Sequence, residues 1–247
     1  MGVIEDKNGL YVFCIAEKKS WKSESIYFAG KIRELIFLPY REMILVAAEV
    51  PLNLRPIKEN LLMHQKVIGS FLKTSDAVFP FSFGHVVMSH REAASLLQRL
   101  YPQLKNMSPH IRGKIEVGLK VIGKKDWLLK MIMENQLVPL EQPTSMKERI
   151  KLGEMAEHFF VTLRKQFEVN FHQHLSLVAE QSRMNSILTE TMLLNTSYLI
   201  KKEEETAFDH LVEKLCEPWK DQADFLYTGP WPAYNFVDIS LHEEKSS

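Results

Sequence analysis

Apolar positions along this chain recur with two different periods, and each change of period marks a new element. "GLYVFCIAE" (Gly9 to Glu17) is rich in β-branched and aromatic residues behind a glycine, which predicts a strand. "SESIYFAG" and "IRELIFLPYR" predict a second and third strand or one bent ribbon. "MILVAAEV" (Met43 to Val50) is almost continuously apolar, as expected of a central strand covered on its inner face, and Pro51 ends it. From Lys58 the spacing changes. Leu61, Leu62, Ile68 and Leu72 fall on one stripe of a helix that should cover the sheet. In "DAVFPFSFGHVVM" the alternation of Phe79, Phe81 and Phe83 predicts three rings on one strand face, with Pro80 restricting that strand to an edge or a bulge. "SHREAASLLQRLYPQL" then opens on a serine or histidine cap and carries Ala93, Leu96, Leu97 and Leu100 at helical spacing. Several strands, helix, strand, helix is the order of an α+β sandwich with its helices on one sheet face.

In the second half, "GKIEVGLKVIG" alternates Ile115, Val117, Leu119 and Val121 with polar or small residues, so one strand face is buried. "KKDWLLKMIMENQ" predicts a short helix and "PLEQPT" a loop. From Lys147 to about Met184 the residues Leu152, Ala156, Phe159, Leu163, Phe167 and Phe171 recur every three or four positions, as one long helix or a helical hairpin would require. "ETMLLNTSYLIK" predicts a strand, "KEEETAFDHLVEKLCEPWKD" a helix with acidic residues in its first turn, and "ADFLYTGPWPAYNFVDISL" a final strand. The order β, helices, β, α, β suits a split-βαβ, ferredoxin-like sheet. At 247 residues the chain is long enough for two domains, divided here into 1–112 and 113–247.

Charge and cysteines narrow the class. Thirty-one basic residues balance thirty-one acidic ones, so no long-range field would gather nucleic acid or an anionic membrane. Cys14 and Cys216 are remote from each other, with neither zinc spacing nor a disulfide framework, which fits a reducing compartment. "MGVIEDKNGL" lacks the basic and apolar regions of an export signal. "ELIFLPYREMILVAAEVPL" is broken by Glu34, Pro39, Arg41, Glu42 and Glu49 and cannot span a bilayer as a helix. A cytoplasmic protein without a membrane segment is expected.

No pattern assembles an active site. "GLKVIGKK" has the glycine and lysine spacing of a phosphate loop, but Lys125 stands where serine or threonine should hold magnesium, and the intervening residues alternate as a strand. His172 and His174 are two apart and point to different sides of a helix, with His158 upstream, so they do not form a metal site. His64 and His85 are isolated and are read as packing or surface residues. Cys14 lies inside an apolar strand, the setting of a small core residue. The rings of "FPFSFG" lack the basic residue and glycine of an RNA-stacking sheet and are read as core. No enzyme, cofactor or metal is therefore expected.

The closing stretch "GPWPAYNFVDISL" (Gly229 to Leu241) places one tryptophan between two prolines and then alternates, which predicts an edge or corner strand after the prolines. Asn235, Val237, Ile239 and Leu241 would share one face, and Tyr234, Phe236, Asp238 and Ser240 the other. Trp231, held by rigid neighbours, serves either as a buried junction or as an anchor for a partner.

"GPWPAYNFV" resembles the closing signature of the gas vesicle protein F/L (GvpF and GvpL) family. "GLYVFCI", "NLLMHQKVIGSFLKTSDAVFPFSFGHVV", "GKIEVGLKVIG" and "ETMLLNTSYLIK" agree with it in order, so the likeness covers nearly the whole chain and is closest to members from bacilli. Between Leu137 and Ser186 only the helical pattern matches. The resemblance implies a two-domain α+β protein with a ferredoxin-like N-terminal part and an α+β C-terminal part. It also implies no catalysis, and a cytoplasmic role in gas vesicle assembly through binding the hydrophobic main shell protein GvpA and other accessory proteins. Two alternatives are a structural component of the shell and a small-molecule-binding regulator. Trp231, Tyr234 and Phe236 are the expected partner-binding residues.

Overall fold

The apolar run behind Gly9 forms β1 (Asn8–Glu17), the inner strand around which the first half of the chain is built. The computed structural model describes residues 8–17, 24–135 and 145–238. These fall into two units: one runs up to Ile115 and regains the chain from Trp231 onward, and the other is Glu116–Pro230. The closing stretch thus lies with the first unit, whereas a division at residue 112 assigned it to the second.

In the first unit, β2 (Ser25–Phe28) and β3 (Lys31–Glu34) form a separate hairpin. Its two-residue turn has positive φ at both Ala29 and Gly30, the geometry that matches strand twist. β4 (Ile36–Tyr40) and β5 (Met43–Pro51) follow, so the second apolar region makes three strands rather than a ribbon. α1 (Lys58–Thr74), β6 (Val78–Pro80), β7 (Val86–Val87) and α2 (His90–Ile111) complete the unit. The sheet order is β4-β5-β1-β6, with β7 also pairing β1. Each of these pairings is antiparallel. β1 and β5 run together from Asn8 opposite Pro51 to Glu17 opposite Met43, with a bulge between Val12 and Cys14.

Leu10 to Ala16 and Met43 to Ala48 are buried without alternation. Such a sheet needs cover on both faces. Tyr11, Phe13, Val46 and Ala48 pack with Val67, Ile68 and Phe71 of α1 and with Ile26 and Phe28 of the hairpin. Strand alternation turns Val12, Leu45 and Ala47 to the opposite face, where α2 meets β1, β4 and β5 through its buried stripe of Ala93, Leu96, Leu97, Leu100 and Leu104. The α+β class holds, but the expectation of helices on one face is corrected: α1 and α2 lie on opposite faces, because the inner strands are apolar on both. Arg33, only 8% exposed, ties the hairpin to the sheet by donating to the Phe28 carbonyl at 2.7 Å and to the Glu49 carbonyl.

The second unit contains all but the first two residues of β8 (Lys114–Gly123), then α3 (Lys125–Glu134), α4 (Met146–Phe167), α5 (Gln173–Ser176), β9 (Gln181–Met184), β10 (Met192–Lys201), α6 (Glu205–Cys216) and all but the last residue of β11 (Ala223–Trp231). The sheet order is β11-β8-β10-β9. Numbered within the unit this is 4-1-3-2, with helices between the first and second strands and between the third and fourth. That is the split-βαβ arrangement, and here the second-half expectation is met. The long helical signal is one run, not a hairpin, and it ends before Met184. A π-helical turn at Glu168–His172 joins α4 to α5, and 181–184 is the edge strand β9. Phe167 and Phe171 stack at 5.6 Å, with Trp219 4.8 Å from Phe167 and Phe225 5.5 Å from Phe171. Phe167 and Phe171 are fully buried, and the half-buried Trp219 and Phe225 pack beside them as part of the second core.

Candidate functional site

The site is built in the first unit around a loop that periodicity alone misreads. β6 stops at Pro80, on the sheet edge as proline requires, and residues 81–85 leave the sheet as a loop. The three phenylalanines therefore do not share one strand face. Phe79 is fully buried, Phe83 packs partly buried against the α1 side of the core, and Phe81 turns into a cavity.

Buried polar groups hold this loop. The Phe81 N–H donates to the Phe13 carbonyl at 3.0 Å and the Val12 N–H to the His85 carbonyl at 2.9 Å. His64 on α1, 4% exposed, shares a hydrogen bond at Nδ1 with the Tyr11 hydroxyl, 2.7 Å away, and has the Phe81 backbone beside its ring. The Gly84 N–H reaches the same hydroxyl at 3.4 Å. The rings of Tyr11, Phe13 and Phe83 surround the imidazole at centroid distances of 5.7, 5.9 and 5.7 Å. Removal from water lowers the His64 pKa to about 4, despite the help of the Phe81 backbone, and pushes the Tyr11 hydroxyl up. Both groups stay neutral near pH 7, as a satisfied buried pair should. Of the two roles expected for His64, packing or surface, it has the first.

The cavity beside the loop has a volume of about 340 Å³ and is lined by Pro80, Phe81, Ser82, His85, Leu100, Tyr234, Val237 and Asp238. The Phe81 and His85 rings lie 4.7 Å apart, and burial lowers the His85 pKa while nearby Glu92 opposes that shift. The α2 wall is placed by an N-terminal cap: the Glu92 N–H donates to Ser89 Oγ at 3.2 Å, and the Met88 N–H donates to the Glu92 carboxylate at 2.7 Å.

The closing stretch supplies the remaining wall, but in a different conformation from the one its alternation predicts. β11 precedes and ends at Trp231; it does not follow the prolines. Gly229 has φ +139°, and a Cβ there would lie 3.0 Å from both the Glu116 carbonyl oxygen and a Val117 side-chain carbon, so the approach to β8 needs glycine. After Trp231 the chain turns. The Tyr234 N–H donates to the Pro232 carbonyl at 2.7 Å and the Phe236 N–H to the Ala233 carbonyl at 3.1 Å. Ile239 and Leu241 of the expected strand lie outside the described residues. Pro232 and Ala233 are buried, Trp231 and Phe236 half-buried, and Tyr234 is 38% exposed. Of the three expected site residues only Tyr234 lines the cavity. The sequence reads Phe81 as core and His85 as a packing or surface residue, and the end of β6 at Pro80 releases both into the loop.

Other candidate chemistry resolves into packing. The phosphate-loop spacing lies on β8 through Gly123, where an added Cβ would meet Leu128 at 2.9 Å. His158, His172 and His174 share one helical run, and His172 Nδ1 lies 3.2 Å from the Tyr198 hydroxyl. Among the described residues no cluster of ligand-type side chains fits a metal ion, and no helix is long and apolar enough to cross a membrane. Both cysteines are buried; burial pushes the Cys14 thiol up and the Cys216 thiol to about 11, far from a reactive thiolate.

Comparison with known proteins places this architecture. The profile of the family described as "Gas vesicle synthesis protein GvpL/GvpF" matches residues 9–238. Gas vesicle protein F1 of Halobacterium salinarum is 25% identical over 239 residues, covering 96% of each chain. Gas vesicle protein F of Dolichospermum flosaquae is 28% identical over 192 residues, covering 74% of this chain and 78% of that one. The crystal structure of GvpF from Anabaena sp. PCC7120 superposes with a TM-score of 0.80 at 22% identity, over 95% of this chain and all of the other. That of GvpF from Microcystis aeruginosa gives 0.81 at 20% identity, over 94% and 99%. With a family match across almost all of its described length, the chain belongs to the GvpL/GvpF family of gas vesicle synthesis proteins.

Proposed function

We propose that this chain serves gas vesicle formation as a non-catalytic binding protein, holding the main shell protein GvpA and other accessory proteins during nucleation and assembly in the cytoplasm. A shell subunit whose surface must repel water carries an exposed apolar patch before assembly, and such patches aggregate. Covering that patch stabilises the separated subunit by roughly 25 cal/mol per Å² of apolar area hidden from water. The cover must be weak enough to yield when the growing shell offers a larger apolar surface.

The observation that carries this reading is the cavity walled by Phe81, His85, Leu100 and Tyr234. Phe81, Leu100, Val237 and Tyr234 line it together with the polar Ser82, His85 and Asp238, and Tyr234 stands partly exposed at its wall, a combination suited to receiving a partner side chain that is apolar along its body and polar at its tip. Trp231 and Phe236 are the half-buried residues on either side of Tyr234 in the chain, set by a rigid turn that leaves little backbone freedom to lose on binding.

The test is co-expression with GvpA, followed by affinity capture and sedimentation. Tyr234→Ala should lower capture of the shell protein about tenfold, the typical scale for an aromatic anchor at an interface, while the circular dichroism spectrum stays unchanged. Trp231→Ala should lower it less. Wild-type capture by the Tyr234 variant would rule out this surface, and GvpA equally soluble without the chain would rule out the protective role. A chain that stays on vesicles after stringent washing would instead be part of the shell.

A further inference from the structure

The first part of α4 is the longest stretch of helix in the second unit, among the described residues, that has no fully buried side chain. Of its 22 residues only Leu163 and Phe167 are buried, both in its last turns, so Met146–Thr162 extends about 25 Å without burying a side chain. Helices owe most of their stability to packing of an apolar face, and this one presents apolar groups outward. Met146, Ile150 and Val161 are 74%, 52% and 54% exposed. Together with Gly153 and Glu157 they follow steps of four, three, four and four residues, which is one line along the helix. Phe160, half-buried, lies beside that line, and nothing stands within 4 Å of where a Gly153 Cβ would be.

The charges on this face have a two-fold character. Arg149 and Glu157 stand four residues on either side of Gly153, and among the described residues neither has an ion-pair partner. We infer that α4 pairs antiparallel with α4 of a second copy of this chain, crossing at Gly153. A two-fold axis there sets Arg149 of each copy against Glu157 of the other and Met146 against Phe160, and it lays Ile150 beside Ala156. A parallel pair would instead oppose Arg149 to Arg149 and Glu157 to Glu157, which like-charge repulsion disfavours. The missing Cβ at Gly153 lets the backbones approach at the crossing point. A two-helix contact of this length buries on the order of 1,000 Å² in total, the lower limit for a specific interface, so the dimer is a weak one in the micromolar range.

Sedimentation velocity of the full chain, from low micromolar to a few hundred micromolar, tests the pairing. The wild type should pass from monomer to dimer across that range. Arg149→Glu and Glu157→Arg should each weaken association at least tenfold, because each opposes like charges twice across the axis. The double variant, carrying both changes, should recover wild-type association, since the pairs are restored in reverse. Gly153→Cys should form an intermolecular disulfide under mild oxidation, whereas a cysteine in place of Lys147 should not. A monomer at every concentration overturns the inference, and so does a dimer indifferent to both single reversals. A double variant that remains monomeric with wild-type helix content overturns the antiparallel register.

Discussion

His64 offers the most direct check on how the cavity loop is held. Its imidazole is buried among Tyr11, Phe13 and Phe83, shares a hydrogen bond with the Tyr11 hydroxyl at 2.7 Å, and has its pKa lowered to about 4 by removal from water. In the unfolded chain the pKa returns to about 6.5, so below that pH the unfolded state binds a proton that the folded state resists. The stability from burying a neutral ring is therefore complete above about pH 7 and is lost as the pH falls from about 6.5 toward 4. Between pH 7 and pH 5 the linkage relation gives a loss of about 2 kcal/mol from this one residue. The assay is urea unfolding of wild type and His64→Gln at both pH values, followed by circular dichroism. Histidines common to both proteins, His85 and His172 among them, cancel in the comparison. The variant should be less stable at pH 7, because the Tyr11 hydroxyl loses its well-placed partner. It should also be less sensitive to acid than wild type by about 2 kcal/mol. Equal acid sensitivity of the two proteins would refute the buried neutral state of His64 and with it the pinning of residues 81–84.

Two further outcomes follow from packing. Gly229→Ala should destabilise the second unit by about 2 kcal/mol or more, because its φ of +139° and its 3.0 Å approach to the Glu116 carbonyl oxygen both exclude a Cβ; a shift under about 0.5 kcal/mol in urea unfolding would contradict that geometry. Phe171→Ala should cost about 3–5 kcal/mol through the cavity left between Phe167 and Phe225, and near-wild-type thermal stability would show that the stacked rings do not support that core.

Local periodicity was enough to place most elements and not enough to place their partners. β1, β5, α1, α2, β8, β10 and α6 were all legible, because burial of a face repeats every two residues in a strand and every 3.6 in a helix. The split-βαβ order of the second unit followed from the sequence of elements, since few connections of that kind are sterically open. The closing signature carried the family. Tertiary structure alone decided the rest. The uninterrupted apolar runs of β1 and β5 report burial on two faces but not which helix covers which, and that choice sent α1 and α2 to opposite sides of the sheet. Phe81 and Phe83 alternate as a strand would, yet β6 ends at Pro80, and the loop is held instead by Tyr11 and His64, residues remote in sequence. Tyr234 was expected on a strand that follows the prolines, but it reaches the cavity through a turn. Its neighbours Phe81, His85 and Leu100 come from the first half of the chain. Periodicity records what each residue needs from its surroundings, namely water or its absence. Which distant segment satisfies that need is settled only when the whole chain closes on itself, and a cavity formed by three such segments has no period of its own.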